Sequence, residues 1–227
     1  MMRFDCHVRE NQILKESFFK LSKEIFGIRF DLWEESGCWT NSYIPYCFHE
    51  DGQVLANEDA MSLYQRAGFE TVPAVRCFLP AEAYIKEGNQ LLSMKKTLEE
   101  LMALKKASVP VTDRLWSKED RHILPFYYVH GFQDVILEPI ENVTILAEME
   151  GDTFHLYDVL SPHKVSLAEV LRSIVPRNAL RVELHFTPNE ALSGLYREPD
   201  PDSGFMVHKS SKAAMPNNLT YPTIITA

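Results

Sequence analysis

Residues 143–186 constrain the fold more tightly than any other part of this chain. Val143, Ile145, Ala147 and Met149 alternate with other residues, and Phe154, Leu156 and Leu160 keep the same period beyond Glu150-Gly151-Asp152. A period of two marks strands with one buried face, and the Gly-Asp pair between the runs supplies a hairpin turn. Ser166-Leu-Ala-Glu169 has the spacing of a capping box, and the helix it opens sets Leu167, Val170, Leu171 and Ile174 towards a core. Leu180, Val182, Leu184 and Phe186 alternate strictly, which predicts a further strand. Hairpin, helix and strand in that order define an α+β unit with helices on one side of a sheet.

The first half is organised differently. Residues 11–26 place Leu14, Phe18, Leu21 and Ile25 on one face of a helix, with Gly27 as its C-cap. Phe30 to Gly37 reads as one or two helical turns anchored by Trp33. Tyr43 to Gln53 reads as a strand running into an Asp51-Gly52 turn, with Val54-Leu-Ala56 as the start of its partner. Glu70 to Leu79 reads as another strand despite Pro73. Leu91 to Ala107 carries Leu91, Met94, Leu98, Leu101 and Met102 on one stripe, which predicts a connecting helix. The expected organisation is therefore an N-terminal unit at 1–80, a connecting region at 81–107 and a C-terminal α+β unit at 108–227. The polar tail after Ser210 is expected to be irregular.

Composition narrows the function. A chain of 227 residues with 45% hydrophobic content can bury one good core, or two modest ones, without disulfides or metals. A net charge of -9 argues against general binding to nucleic acid or to a membrane surface, both of which need a basic footprint. Cys6, Cys38, Cys47 and Cys77 lack metal-ligand spacing and are expected to be reduced thiols of a cytoplasmic protein. No apolar run has the form of a signal peptide or the length of a membrane span.

Asn57-Glu-Asp-Ala-Met-Ser-Leu-Tyr-Gln-Arg-Ala-Gly-Phe69 has sharp helix boundaries. Asn57 is a good N-cap, Glu58 and Asp59 suit the positive end of the dipole, and Gly68 sits where a left-handed cap is expected. Ala60, Met61, Tyr64 and Ala67 share a face. Tyr64 is either a core tyrosine closing a short amphipathic helix or a phenol positioned for acyl transfer.

Two parts of the N-terminal half resemble the GNAT superfamily, the Gcn5-related N-acetyltransferases, in a bacterial branch with an appended C-terminal domain. The first runs from Phe19-Lys-Leu-Ser-Lys-Glu-Ile-Phe-Gly27 through Trp33, Trp39 and Tyr43-Ile-Pro-Tyr46 to Val54-Leu-Ala-Asn57. The second, 57–69, is similar to the late helix where Asn-x-x-Ala-x-x-x-Tyr-x-x-x-Gly-Phe recurs. Gly151-Asp-Thr-Phe-His-Leu-Tyr-Asp158 and Leu184-His-Phe-Thr-Pro188 look like the appended domain. The resemblance implies a truncated α/β acyl-CoA N-acyltransferase-like half joined to an α+β domain. It also implies acetyl-CoA as co-substrate and a small-molecule or peptide amine as acceptor. By the same resemblance, Tyr64 protonates the departing thiolate, Asn57 bonds the pantetheine arm and Ala60 leaves room beside it. Glu10, Glu34 and Glu35 are candidates for the general base by proximity in sequence.

The family's pyrophosphate grip, Arg/Gln-x-x-Gly-x-Gly/Ala opening a long helix, has no counterpart. The nine glycines, at 27, 37, 52, 68, 88, 131, 151, 194 and 204, form no glycine-rich phosphate loop. One Ala56-Asn57 pair serves both as the end of the early strand and as the start of the late helix, which suggests an internal deletion between two similar short segments. Strand edges exposed by such a loss would favour self-association. The alternative is a non-catalytic remnant or interaction module built on the C-terminal unit.

Other constellations are weaker. Ser161, His163 and Asp158 lie together without a Gly-x-Ser-x-Gly elbow, and Ser161-Pro162-His163 reads better as a turn. His155, His185 and Tyr157 would meet if their strands pair; a solvated sheet face is the expectation there, with a ligand-facing cluster as the other option. No metal-ligand spacing is visible in the sequence.

Overall fold

In the computed structural model, residues 3–40, 45, 47–55, 65, 68–86, 94–117, 123–201, 206–211 and 218–222 are described. The protein is a mixed α+β structure with several sheets. Among the described residues, no helix is long and apolar enough to cross a membrane.

The opening elements are β1 (Arg3–Asp5), α1 (Gln12–Phe26), α2 (Phe30–Glu35), β2 (Cys47–Glu50) and β3 (Gln53–Leu55). Asn11 caps α1 through its side chain, which accepts from Ile13 and Leu14, and Gly27 ends the helix in the left-handed conformation at φ 69°. Asp51 and Gly52, at φ 49° and 84°, make the tight turn between β2 and β3, as the sequence predicts. The three strands pair antiparallel in the order β1-β2-β3. Leu14 of α1 packs on Val8, Cys47 and Val54 there. Phe30, Trp33 and Trp39 form an aromatic cluster with Phe126.

The sequence predicts one strand from Glu70 to Leu79; the chain makes two. β4 (Phe69–Thr71) pairs with β11 (Met206–His208), and β5 (Ala74–Pro80) belongs to a different sheet. Pro73 lies between them, where the missing N–H breaks a ladder. The connecting helix is also shorter than its apolar stripe suggests. It spans α3 (Leu98–Ala107), because Thr97 and Glu100 form a reciprocal capping box that fixes the start; Met94 to Thr97 are not helical.

The main sheet has six strands in the order β10-β5-β9-β8-β7-β6. They are β6 (Ile136–Ile140), β7 (Val143–Glu150), β8 (Thr153–Leu160), β9 (Arg181–Leu184) and β10 (Tyr196–Asp200), with β5 inserted between β10 and β9. Pairing is antiparallel except between β8 and β9, which run parallel and are joined through α5 (Leu167–Ile174). A strand from residues 74–80 is thus held inside a sheet whose other strands come from 136–200.

One face of the sheet packs Val143, Ile145, Phe154, Leu156, Val182 and Leu184 against Leu167, Val170, Leu171 and Ile174 of α5. Helices lie on the other face as well, contrary to the one-sided expectation. Leu101 of α3 and Leu124 of α4 (Ile123–Val129) pack there on Leu146, Leu160 and Ile136. Leu160 departs from the alternation for a local reason. The ladder pairs Leu146 with Asp158 but Ala147 with Leu156, so Tyr157 is the extra residue of a β-bulge and the period shifts beyond it. The tail is irregular at 218–222, as expected, yet Leu219 and Tyr221 there pack on Ala74. Val75 donates to the Leu219 carbonyl at 2.9 Å.

Candidate functional site

Asn57, Ala60 and Tyr64, the residues assigned by resemblance to the cofactor and to acid catalysis, lie outside the described residues. The described neighbours of that segment are Gln65, which is helical, and Gly68, which has φ 94° and donates to the Gln65 carbonyl at 3.0 Å. Of the base candidates, Glu34 is held by Lys15 at 2.9 Å. Glu10 is exposed in the turn before α1, and Glu35 is exposed at the end of α2.

The Ser161, His163 and Asp158 set does not assemble as a triad. The Ser161 hydroxyl accepts from the backbone N–H of His163 at 3.2 Å, which is a turn contact. Asp158 is taken by Lys105 at 2.6 Å. Ser161 and His163 instead line a pocket of about 170 Å³ with Val109, Val165, Asn189 and Glu190. Glu190 fills the adjacent end of α5 by accepting from Leu167 at 2.8 Å and Ala168 at 3.4 Å.

The chemically distinctive site lies on the sheet face that α3 and α4 cover only in part. Parallel pairing sets His155 of β8 opposite Glu183 of β9, and the His185 N–H donates to the Leu156 carbonyl at 2.9 Å, continuing the ladder. His155 Nδ1 lies 3.0 Å from His185 Nε2 and 3.5 Å from Glu183 Oε2. Arg76, from β5 on the other side of β9, grips Glu183 with two hydrogen bonds of 2.7 and 2.6 Å. The bulged Tyr157 stacks on His155, lies tilted against His185 and donates to Glu148 at 2.7 Å. His155 is 9% exposed and Glu183 4%. His185 and Tyr157 are half-buried and Arg76 is exposed, so the face expected from the sequence to be solvated is solvated only in part.

Its electrostatics follow from burial. Burial works to raise the Glu183 carboxyl, but Arg76 and the two imidazoles more than offset it and hold the group below the usual carboxylate range. Burial pulls His185 down to about 4, against the favourable charge of Glu183, so the ring is neutral at pH 7. Tyr157 is driven well above its ordinary value by burial and by donation to Glu148. The site therefore presents two ring nitrogens, one fixed carboxylate and a neutral phenol.

The sequence carried part of this signal. His155 and His185 were visible as members of alternating runs, but Glu183 and Arg76 were not singled out, because neither sits in a spacing motif. Only the strand order brings Arg76 to Glu183 across more than one hundred residues of chain. No protein-family model and no curated protein matches the chain.

Proposed function

We propose that this chain is a GNAT-type N-acetyltransferase-family protein, with acetyl-CoA as co-substrate and a small-molecule or peptide amine as acceptor. The observation that carries the proposal is the order of the opening elements. Two helices followed by the antiparallel pair β2 and β3 match the opening helices and first antiparallel strands that the resemblance of residues 19–57 implies. The left-handed Gly68 supports it too, since the late-helix motif ends on that residue.

In this proposal Tyr64 protonates the departing thiolate, Asn57 bonds the pantetheine arm and Ala60 leaves it space. A phenol with a pKa of about 10 can supply a proton to a thiolate whose acid has a pKa of about 8.5, once both are positioned. Glu34 is committed to Lys15, which leaves Glu10 and Glu35 as the base candidates. Lacking a Gly-x-Gly loop, the chain would hold the cofactor through its pantetheine and thioester and only loosely through its pyrophosphate.

Titration with acetyl-CoA tests this directly. Calorimetric heat and a raised melting temperature are expected at millimolar cofactor, with Tyr64→Phe retaining binding and losing transfer. Silence in both measurements at that concentration rejects acetyl transfer by this chain. It would leave the second proposal, a non-catalytic binding module built on the main sheet. The pairing of buried His155 and Glu183 with His185 and Arg76 favours that alternative, because burying His155 and Glu183 costs desolvation that a purely structural face need not incur.

A further inference from the structure

We propose that His155, Glu183 and His185 form a binding site for one divalent transition-metal ion, with zinc the ion best suited to their donors. The site rests on neither Tyr64 nor acetyl-CoA.

The donor set comes first. Two imidazoles and a carboxylate are the mixture that suits Zn²⁺ among the common divalent ions, whereas Ca²⁺ and Mg²⁺ prefer oxygen alone. One atom from each of the three residues falls within a sphere where all lie within 4.8 Å of one another. Two nitrogens each bonded to a tetrahedral zinc stand roughly 3.3 Å apart. The His155 Nδ1 separations, 3.0 Å to His185 Nε2 and 3.5 Å to Glu183 Oε2, bracket that value. The remaining separation, His185 to Glu183, is within 4.8 Å, so side-chain adjustment there would complete the coordination.

The framework is rigid where a metal site needs rigidity. His155 and Glu183 ride on the β8–β9 ladder, and His185 follows β9 directly with its N–H bonded to the Leu156 carbonyl, so backbone hydrogen bonds set their spacing. Arg76 orients the Glu183 carboxylate, as outer-shell partners do, and its two hydrogen bonds leave lone pairs on both oxygens for an ion. On the far side of His155, Nε2 faces the Glu150 carboxylate at 3.7 Å. A carboxylate on that side favours the tautomer that offers Nδ1 inward. His185 is only partly buried and gives the cluster a route to solvent.

Protons balance without an external base. A single proton now lies between His155 Nδ1 and His185 Nε2; when both nitrogens take the metal, it moves to the outer nitrogen of the ring that carried it. With His155 protonated on the nitrogen facing Glu150, the shared proton belongs to His185 and moves to its Nδ1. Three protein ligands leave a fourth tetrahedral position for water, as in open zinc sites.

The test uses the full chain after chelator treatment, titrated with Zn²⁺ against a chromophoric chelator and separately with Co²⁺. One equivalent should bind, Co²⁺ should give the visible bands of a tetrahedral nitrogen-oxygen site, and the melting temperature should rise with Zn²⁺. His155→Gln and His185→Gln should each weaken binding by more than about 100-fold, beyond what loss of an outer partner costs. His163→Gln, outside the cluster, should bind as the parent does. Nitrogen-15 correlation spectra of the parent supply a check that needs no variant: the His155 Nδ1 and His185 Nε2 resonances should move on addition of Zn²⁺. Failure of the parent to bind one equivalent overturns the proposal. So does binding that leaves those resonances in place or survives both substitutions, which would put the ion elsewhere, for instance at Asp5, Cys6 and His7.

Discussion

Lys105 Nζ stands 2.6 Å from Asp158 Oδ2, with both side chains only 2% exposed. The ring of Trp116 lies against the ammonium at 4.1 Å, and Asp158 also accepts from the Val159 N–H at 2.9 Å. This pair fastens α3 to the bulge of β8. Removing one partner strands the other charge in the interior, so Lys105→Met should lower unfolding stability by about 3–5 kcal/mol. The double variant Lys105→Met with Asp158→Asn should be less destabilised than the single one, because no buried charge is left. Urea titration of the two decides this; equal losses would mean that packing, not charge, dominates.

Sheet order predicts how the chain can be cut. A fragment of residues 108–227 lacks β5, which lies between β9 and β10, and would open a gap inside the sheet. It should melt without a cooperative transition, whereas residues 69–227 should melt cooperatively. Calorimetry on both fragments checks the difference. A sharp transition from the shorter one would show that β9 and β10 can close on each other.

Glu190 should stabilise α5 more than its half-buried position on a loop suggests. Its carboxylate accepts from Leu167 at 2.8 Å and Ala168 at 3.4 Å, at the positive end of the helix, beside the Ser166 cap. Glu190→Ala should cost about 1 kcal/mol. Glu190→Asp, one methylene shorter, should recover little of it in chemical denaturation.

Phe154 is fully buried between the sheet and α5. Phe154→Ala should cost about 3–5 kcal/mol through lost transfer energy and the cavity it leaves. Phe154→Leu should cost less, and the pair of midpoints in urea is the measurement.

The capping box of α3 gives a pH dependence. Backbone and hydroxyl hydrogen bonds from Thr97 hold the Glu100 carboxyl below its ordinary value of 4.5. Its folded value is lower than its unfolded one, so its contribution to helix stability is present above the unfolded value and is lost as pH falls through the folded one. A carbon-13 titration of Glu100 should inflect below that of the same residue in Thr97→Ala; coincident inflections would contradict the box.

Local features were readable where one stretch of chain decides them. Asn11 and Gly27 bound α1, and Asp51-Gly52 makes its turn, because caps and tight turns are settled by backbone dihedrals and neighbours a few residues away. Thr97 and Glu100 were equally local but were overridden by the longer apolar stripe from Leu91. The Ser166 cap was half right: its hydroxyl accepts from Glu169, while Glu190, distant in sequence, supplies the acidic partner. Strand identity at Val143–Glu150 and Thr153–Leu160 followed from alternation, yet the bulge at Tyr157 left no mark in the pattern.

By itself the sequence determined β7, β8, α5 and β9 of the C-terminal unit, the opening helix, and the presence of two histidines in alternating runs. Periodicity and capping are short-range physics and survive reading one residue after another. Tertiary structure alone decided that β5 enters the main sheet, that β8 and β9 run parallel, and that Arg76, His155, Glu183 and His185 converge in one polar cluster. Strand order is a contest among long-range pairings, each bought with loop entropy and rewarded by burial, and its outcome is not written in any single segment.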